Sequence, residues 1–516
     1  MKDKILSLFI SFLFLLFLTT FSIATAFPNT PRGSQAGPTH PDKTAVVICF
    51  DVEDYVTPAS EGVDDIPKWL ADIMTEEKVT GTFFVIGEKA RSLKKRGRED
   101  VIRAMARHDI GSHTDRGSIH PTITEILESA GWTQGVDSML TQESRGVQEL
   151  ERIFGKPVCT LGRHGGSYGP QLVGALAKMD VGFVYSPLRL PGHNAVWFCN
   201  TLNFYGSYGG YDDTYYRDDF FDPLFDTLRG RFSEEAAGVD VYTFFACHPC
   251  KIRTVQFWDF NYYGGVNPDP SQLKMPELRP RETMGTARKN FRRLIRFLKE
   301  RSDIELTTFA DLMKKFSYQR DTAPQTELAQ IASSIIGEKK ILIGDFYSPA
   351  EVFSALAESV SEFQKSGHMP KAVIRRSPFG PAEMPPVQPD IEKISKAQAL
   401  SLAGEALTFI QDFNALPQWL MVDDCRVGTG SLLALFSKMF LEIRQGSLAE
   451  EFTVVPFDAY PHENLEAIVE SVEGCKSWPV HRDDLDMSHI VEMTKCQMWT
   501  LKPAHRADKV KTTKSF

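Results

Sequence analysis

The 516-residue sequence predicts an α/β chain: a (β/α) barrel followed by a smaller, mainly helical α+β repeat module. Three observations predict it. Between Thr44 and about Tyr318, short apolar strand-like runs alternate with amphipathic helical ones, the signature of parallel βαβ units repeated often enough for a barrel. Near Gln319–Ser333 (QRDTAPQTELAQIAS) that alternation loosens. Beyond it, Ser354–Val373 and Ser401–Leu420 align at an offset of 47, each reading as an amphipathic helix, then Gly or Asn, then an apolar-Pro step into a short strand.

Composition narrows the partners. Apolar residues make up 42% and charged residues 24%, an ordinary globular balance. With 67 acidic against 58 basic side chains, the formal charge is −9. That balance lacks the basic face needed to track a phosphate backbone, so no nucleic-acid partner is expected. The basic run Lys502–Lys514 reads as a solvated terminus.

Taken in chain order, Lys2 and Lys4 precede an apolar run, Ile5–Phe21, and then Ala24-Thr25-Ala26. This describes a secretory signal peptide over 1–26, with an uncleaved anchor as the competing reading. A flexible leader follows over 27–42, then the barrel over 43–318, a linker over 319–333 and the repeat-containing module over 334–516. No later run is apolar enough to span a bilayer. No stable membrane span is therefore expected after cleavage, and the expected location is secreted, periplasmic or cell envelope.

Within the barrel, Ala45–Phe50 reads as a buried strand, Ile66–Glu77 as a helix and Thr82–Ile86 as a second buried strand. Val101–Ala106 is a helix and Asp109–Ser112 a short strand. Tyr242–Ala246 is a further buried strand, delivering His248 just past its end. Eight cysteines in an exported chain invite a bridge, and Cys475 with Cys496 is the pair that best suits one.

The chemistry-bearing residues follow strands, as barrel chemistry does. The first strand runs into Asp51-Val52-Glu53-Asp54. Three carboxylates so close together need a cation or proton to offset them. Gly111-Ser112-His113 and Ile119-His120-Pro121 supply two histidines. Two histidines and one carboxylate suffice for a catalytic Zn²⁺ or similar divalent ion with open positions.

At these residues the chain resembles the polysaccharide deacetylases, the NodB-type carbohydrate esterases, in the branch similar to peptidoglycan deacetylases and allantoinase-like cyclic-amide hydrolases. The carrying segments are FDVEDY, GTFFVIG, GSHTDRGSIHP, Arg163-His164-Gly165-Gly166-Ser167-Tyr168-Gly169 and ACHP, with Ile304–Phe316 matching the terminal strand and "TF" helix. The resemblance implies a distorted (β/α) barrel and metal-dependent hydrolysis of an N-acyl group. It implies Asp51 as general base, Glu53 as metal carboxylate with Asp54 competing for that role, and His113 and His120 as metal histidines. It further implies His248 as general acid, Arg163 as the group orienting the base, and backbone N–H groups near Tyr168 at the oxyanion. The usual histidine pair is four apart, whereas His113 and His120 are seven apart, which predicts that Asp115–Ser118 loops out and that Pro121 starts the following helix.

Aromatic runs at Tyr205–Tyr211 and Tyr215–Phe221, with Trp258, Tyr262 and Tyr263, read either as a glycan-stacking groove or as packing. Tyr168 and Trp258 are the candidates for substrate contact. The repeat weakly resembles pseudomurein-binding repeats, which implies attachment to an envelope polymer. The expectation is an exported, zinc-dependent deacetylase acting on N-acetyl groups of an envelope polysaccharide or peptidoglycan-like glycan. A cyclic-amide hydrolase on the same scaffold, or a catalytically inactive glycan-binding surface protein, are the alternatives.

Overall fold

The structure, a computed structural model, describes residues 43–206, 211–236, 239–507 and 510. The expected signal peptide and leader lie outside the described residues, as does the end of the basic run.

The barrel strands are β1 (Thr44–Val52), β2 (Thr82–Val85), β3 (Asp109–Ser112), β4 (Thr160–Gly162), β5 (Gly182–Ser186), β6 (Ala195–Phe198), β7 (Thr201–Tyr205), β8 (Val241–Cys247) and β9 (Ile304–Thr307). They form one curled sheet in the order β6-β7-β5-β4-β3-β2-β1-β8, parallel apart from β6. β9 shares an edge of β1 with β2, pairing with Thr44–Val47 while β2 takes Cys49–Val52. All nine residues of β1 are buried, the pattern of a strand covered on both faces. Helices flank the sheet. In Asp65–Glu76, for example, Ile66, Trp69, Leu70, Ile73 and Met74 are buried at the spacing of one helical face.

Among the described residues the barrel is left open, with no ladder joining β7 to β8. Side chains bridge the gap instead: Thr243 Oγ1 donates to the Tyr205 carbonyl at 3.1 Å, and Asn194 Nδ2 to that of Val241 at 2.9 Å.

Register decides what meets at the mouth. Val52 lies opposite Val85, Val85 opposite Ser112, and Ser112 opposite Leu161. The strands thus end in step, and the residues just beyond β1, β3 and β4 emerge beside one another.

From Lys43 onward the described residues pack as one compact unit. The stretch expected to be a linker, 319–333, is ordered structure: the strand Thr322–Pro324 and most of the helix Gln325–Glu338. Leu328, Ala329, Ala332 and Ile335 are buried at helical spacing, and Pro324 occupies the N-cap position. The two aligned stretches fold alike. Ser348 and Ser395 each close a capping box, with Glu351 and Gln398, at the start of helices Pro349–Ser366 and Lys396–Phe413. Those helices stop at left-handed Gly367 and Asn414, and the strands Ala372–Ile374 and Trp419–Val422 follow.

Lys502, expected in a solvated tail, is 3% exposed. It lies in the strand Lys502–Pro503, which adds antiparallel to the outer edge of β6. Its ammonium donates to both Glu351 oxygens, at 2.9 and 2.8 Å, and Arg375 also reaches Glu351. All eight cysteines are free thiols, so the expected Cys475–Cys496 bridge is absent. Cys475 Sγ instead accepts from Arg163 Nη1 at 2.8 Å. No helix among the described residues is long and apolar enough to cross a membrane.

Candidate active site

Glu53, the first residue past β1, sits at the centre of a buried cluster. Its Oε1 is 3.1 Å from His113 Nε2, 3.3 Å from His164 Nδ1 and 3.6 Å from His248 Nε2. Its Oε2 accepts from Trp258 Nε1 at 2.9 Å. Asp51, one pleat earlier on β1, reaches the same space, with Oδ2 3.6 Å from His113 Nε2 and 3.7 Å from His248 Nε2. Its other oxygen accepts from the Tyr185 hydroxyl at 3.0 Å. Tyr185 holds that aim from a left-handed backbone (φ 60°), a conformation an aromatic residue adopts only when its surroundings enforce it.

Each histidine is oriented from behind. His113 Nδ1 donates to the Gly162 carbonyl at 2.9 Å, which leaves the Nε2 lone pair facing Glu53. His164 Nε2 pairs with Ser118 Oγ at 3.0 Å, while its buried Nδ1 faces Glu53 without a hydrogen bond of acceptable alignment. His248 Nδ1 donates to Asp212 Oδ2 at 2.8 Å, and its backbone N–H to Asp212 Oδ1 at 2.7 Å.

The electrostatics separate the two carboxylates. Burial, reinforced by Glu53, pushes Asp51 up despite His113 and His248. Burial also opposes the charge of Glu53, but His248, His164 and His113 together hold it well below the usual carboxylate range. Against burial, Asp212, Glu53 and Asp51 push His248 up to about 10. His113 is raised because Asp51 and Glu53 outweigh burial, whereas burial pulls His164 down.

Ligand atoms of Glu53, His113 and His164 all lie within 4.8 Å of one another, as do those of Asp51, Glu53 and His248. One carboxylate and two imidazoles, with a fixed tautomer on His113 and an unsatisfied buried nitrogen on His164, fit a divalent ion with open coordination positions. A cavity of ≈ 250 Å³ opens beside them, lined among others by Asp51, His248, Arg163, Tyr185, Tyr205 and Ser471. Arg163 donates from Nε to the Tyr185 carbonyl at 2.9 Å, so it holds the residue that holds Asp51.

Asp51, Glu53, His113, Arg163 and His248 therefore meet, and Trp258 joins them as a donor to Glu53, while Asp54, His120 and Tyr168 do not. Asp54 is turned away: its carboxylate caps the following turn, accepting from the N–H groups of Val56 and Thr57, each at 2.9 Å. His120 is held outside the cluster by Glu125 Oε2 at 2.8 Å and the Tyr262 carbonyl at 3.0 Å. The Asp115–Ser118 segment is a loop, but Thr122 is the N-cap of helix Ile123–Leu127, so Pro121 precedes the helix rather than starting it. Tyr168 and Trp258 are both fully buried and offer no face to a substrate. The Tyr168 N–H is taken by Thr124 Oγ1 at 3.0 Å.

His164, Asp212 and Tyr185 went unassigned in the sequence. The signal for His164 was present, because it follows a strand end just as His113 and His248 do. Asp212 and Tyr185 act through folding alone.

Residues 39–184 match the family model described as polysaccharide deacetylase, and this segment is a polysaccharide deacetylase domain. It contains Asp51, Glu53, His113, Arg163 and His164, but not Tyr185 or His248. No curated protein matches the chain. Among solved structures, a polysaccharide deacetylase candidate from Mycobacterium smegmatis is 15% identical, covering 55% of this chain and 93% of its own, with a TM-score of 0.34. The Puue allantoinase is 14% identical, covering 56% and 97%, with a TM-score of 0.35. A CE4 family pseudoenzyme from Bacillus anthracis is 12% identical, covering 53% and 66%, with a TM-score of 0.31.

Proposed function

We propose that the barrel removes N-acetyl groups from an amino sugar of an envelope glycan, using a divalent ion, Zn²⁺ by the donor set, held by Glu53, His113 and His164. The observation that carries this reading is geometric: ligand atoms of Glu53, His113 and His164 lie within 4.8 Å of one another, and Asp51 Oδ2 and His248 Nε2 stand 3.7 Å apart beside them. That arrangement sets a proton acceptor and a proton donor next to a ligand set for a divalent ion. Bound there, a divalent ion supplies Lewis acidity and makes water a stronger nucleophile.

Asp51 takes the proton of the attacking water, held in place by the Tyr185 hydroxyl. His248, kept protonated by Asp212, gives its proton to the departing amine. Arg163, through the Tyr185 carbonyl, keeps the base aligned. Export by the N-terminal segment and attachment to an envelope polymer by the repeat module belong to the same proposal.

The test is acetate release from N-acetylated glycans by metal-loaded protein against chelated protein. Release that vanishes on chelation and returns with Zn²⁺ supports the reading. A protein that binds the ion and the glycan but releases nothing is the non-catalytic alternative.

A further inference from the structure

The repeat module does more than follow the barrel, because its last part lies across the barrel mouth. Asn464 Nδ2 donates to the Arg189 carbonyl, beyond β5, at 2.8 Å. The helix Leu465–Glu473 follows, and its Ser471 lines the cavity. Cys475 then takes the Arg163 guanidinium beyond β4. Trp478 stands perpendicular to the His164 ring at 5.1 Å. Beyond β8, the N–H groups of Gly264 and Gly265 donate to the Pro479 and Val480 carbonyls at 2.9 and 3.1 Å. Arg482 pairs with Glu128, and the Asp486 N–H donates to Glu128 at 2.7 Å, on the segment that follows β3.

This segment fits closely enough to dictate sequence beneath it. A Cβ on Gly165 would fall 2.2 Å from the Trp478 ring, and one on Gly166 2.2 Å from the Cys475 carbonyl. The Gly-Gly pair after Arg163-His164 is therefore the imprint of the strap that covers it.

We infer that residues 464–486 form a fixed strap that turns the site from an open groove into a pocket for one N-acylated unit, entered end-on. The strap meets the residues beyond β3, β4, β5 and β8, so a polymer laid across the mouth would collide with it. What remains beside Asp51 and His248 is a cavity of ≈ 250 Å³, under the ~300–1,000 Å³ typical of drug-sized ligands. The substrate class is then a free N-acylated amino sugar or the terminal unit of a chain, not its interior. This inference rests on the deacetylase reading above.

The experiment uses the full, metal-loaded chain and N-acetylated amino-sugar oligomers of one to six units, with acetyl loss located by mass spectrometry. The expected result is one acetyl removed per chain, at a terminal unit, with kcat/KM per chain independent of length. Removal of several acetyls from one chain overturns the strap inference and leaves the deacetylase reading intact. No release from any length, monomer included, overturns both. Loosening the strap with Asn464→Ala and Arg482→Ala is expected to raise the number removed per chain above one, with metal content unchanged. A loosened strap, verified by hydrogen exchange, that still permits only one overturns its role. A second arm titrates the Asp51→Asn variant calorimetrically. Monomer and tetramer binding within about threefold supports the single-unit pocket, and a tetramer about tenfold tighter overturns it.

Discussion

The two ends of the barrel use the same residue type in opposite ways. At the base, His108 precedes β3 and is 2% exposed; its Nε2 meets the Ala71 carbonyl at 2.9 Å and Thr75 Oγ1 at 3.1 Å. No carboxylate bonds it, and burial pulls it down to about 4. At the mouth, His113 and His164 are also buried and His248 is partly so, but all three face Asp51 or Glu53. Burial alone makes a histidine a packed neutral ring, whereas a position opposite a carboxylate equips it to serve as the proposed ligand or proton carrier. The mouth also divides within itself, because His164 faces Glu53 while His120, on the longer loop, is committed to Glu125.

The largest expected effect would break that second contrast. His164→Ala should lose the bound ion by more than the ~10–100-fold that removing a mere outer partner costs, while His120→Ala keeps it. Metal content after dialysis decides. Loss in His120→Ala and retention in His164→Ala would reverse the assignment. Next, Asp51→Asn should retain the ion yet lose turnover by roughly 10²–10⁴-fold, the usual range for a general base. Equal loss of metal in this variant would make Asp51 a ligand instead.

The barrel was readable from the sequence because its strands are continuous apolar runs and its helices carry one apolar face. Phe50–Tyr55 and Tyr242–His248 announced their strand ends and their charges. His164 was readable by the same rule but was eclipsed by His120, whose motif looked complete in one dimension. No local pattern reports that Glu125 captures His120, or that Asp212 arrives behind His248. Those pairings join residues that only the register of the sheet and the path of the loops bring together. The stretch 319–333 was misread for a related reason, since the apolar face of its helix, Leu328, Ala329 and Ala332, is explained only by the tertiary packing that buries it.

A smaller effect probes the strap. Gly165→Ala, at φ +50° and against Trp478, should destabilise the fold by about 1–3 kcal/mol in denaturant unfolding. Adding Trp478→Ala should recover the steric part of that loss, and an additive double variant would show that the two do not touch.

A pH-dependent effect sharpens the base. His108 has a folded pKa of about 4, below its ordinary 6.5. Its unprotonated form is the one the fold prefers. The stability it contributes is complete above about pH 6.5 and is lost as pH falls through about 4. His108→Gln should flatten the acid limb of the stability curve over that window, by roughly 3 kcal/mol at most. An unchanged limb would show that His108 titrates no differently in the folded and unfolded chains.

The strand Lys502–Pro503 has a consequence for the order of assembly. It pairs with β6 through Lys502 and Trp197, positions roughly 300 residues apart. At ~5–20 residues per second, the ribosome needs about 15–60 s to bridge that interval. For that time β6 presents an unpaired outer edge, the feature most apt to recruit a neighbouring chain. The nascent protein thus passes through a period in which the growing barrel sheet carries an adhesive edge. Holding factors or slow initiation, which keep neighbouring nascent chains apart, would act in that interval, and Lys502 docking onto Glu351 would end it.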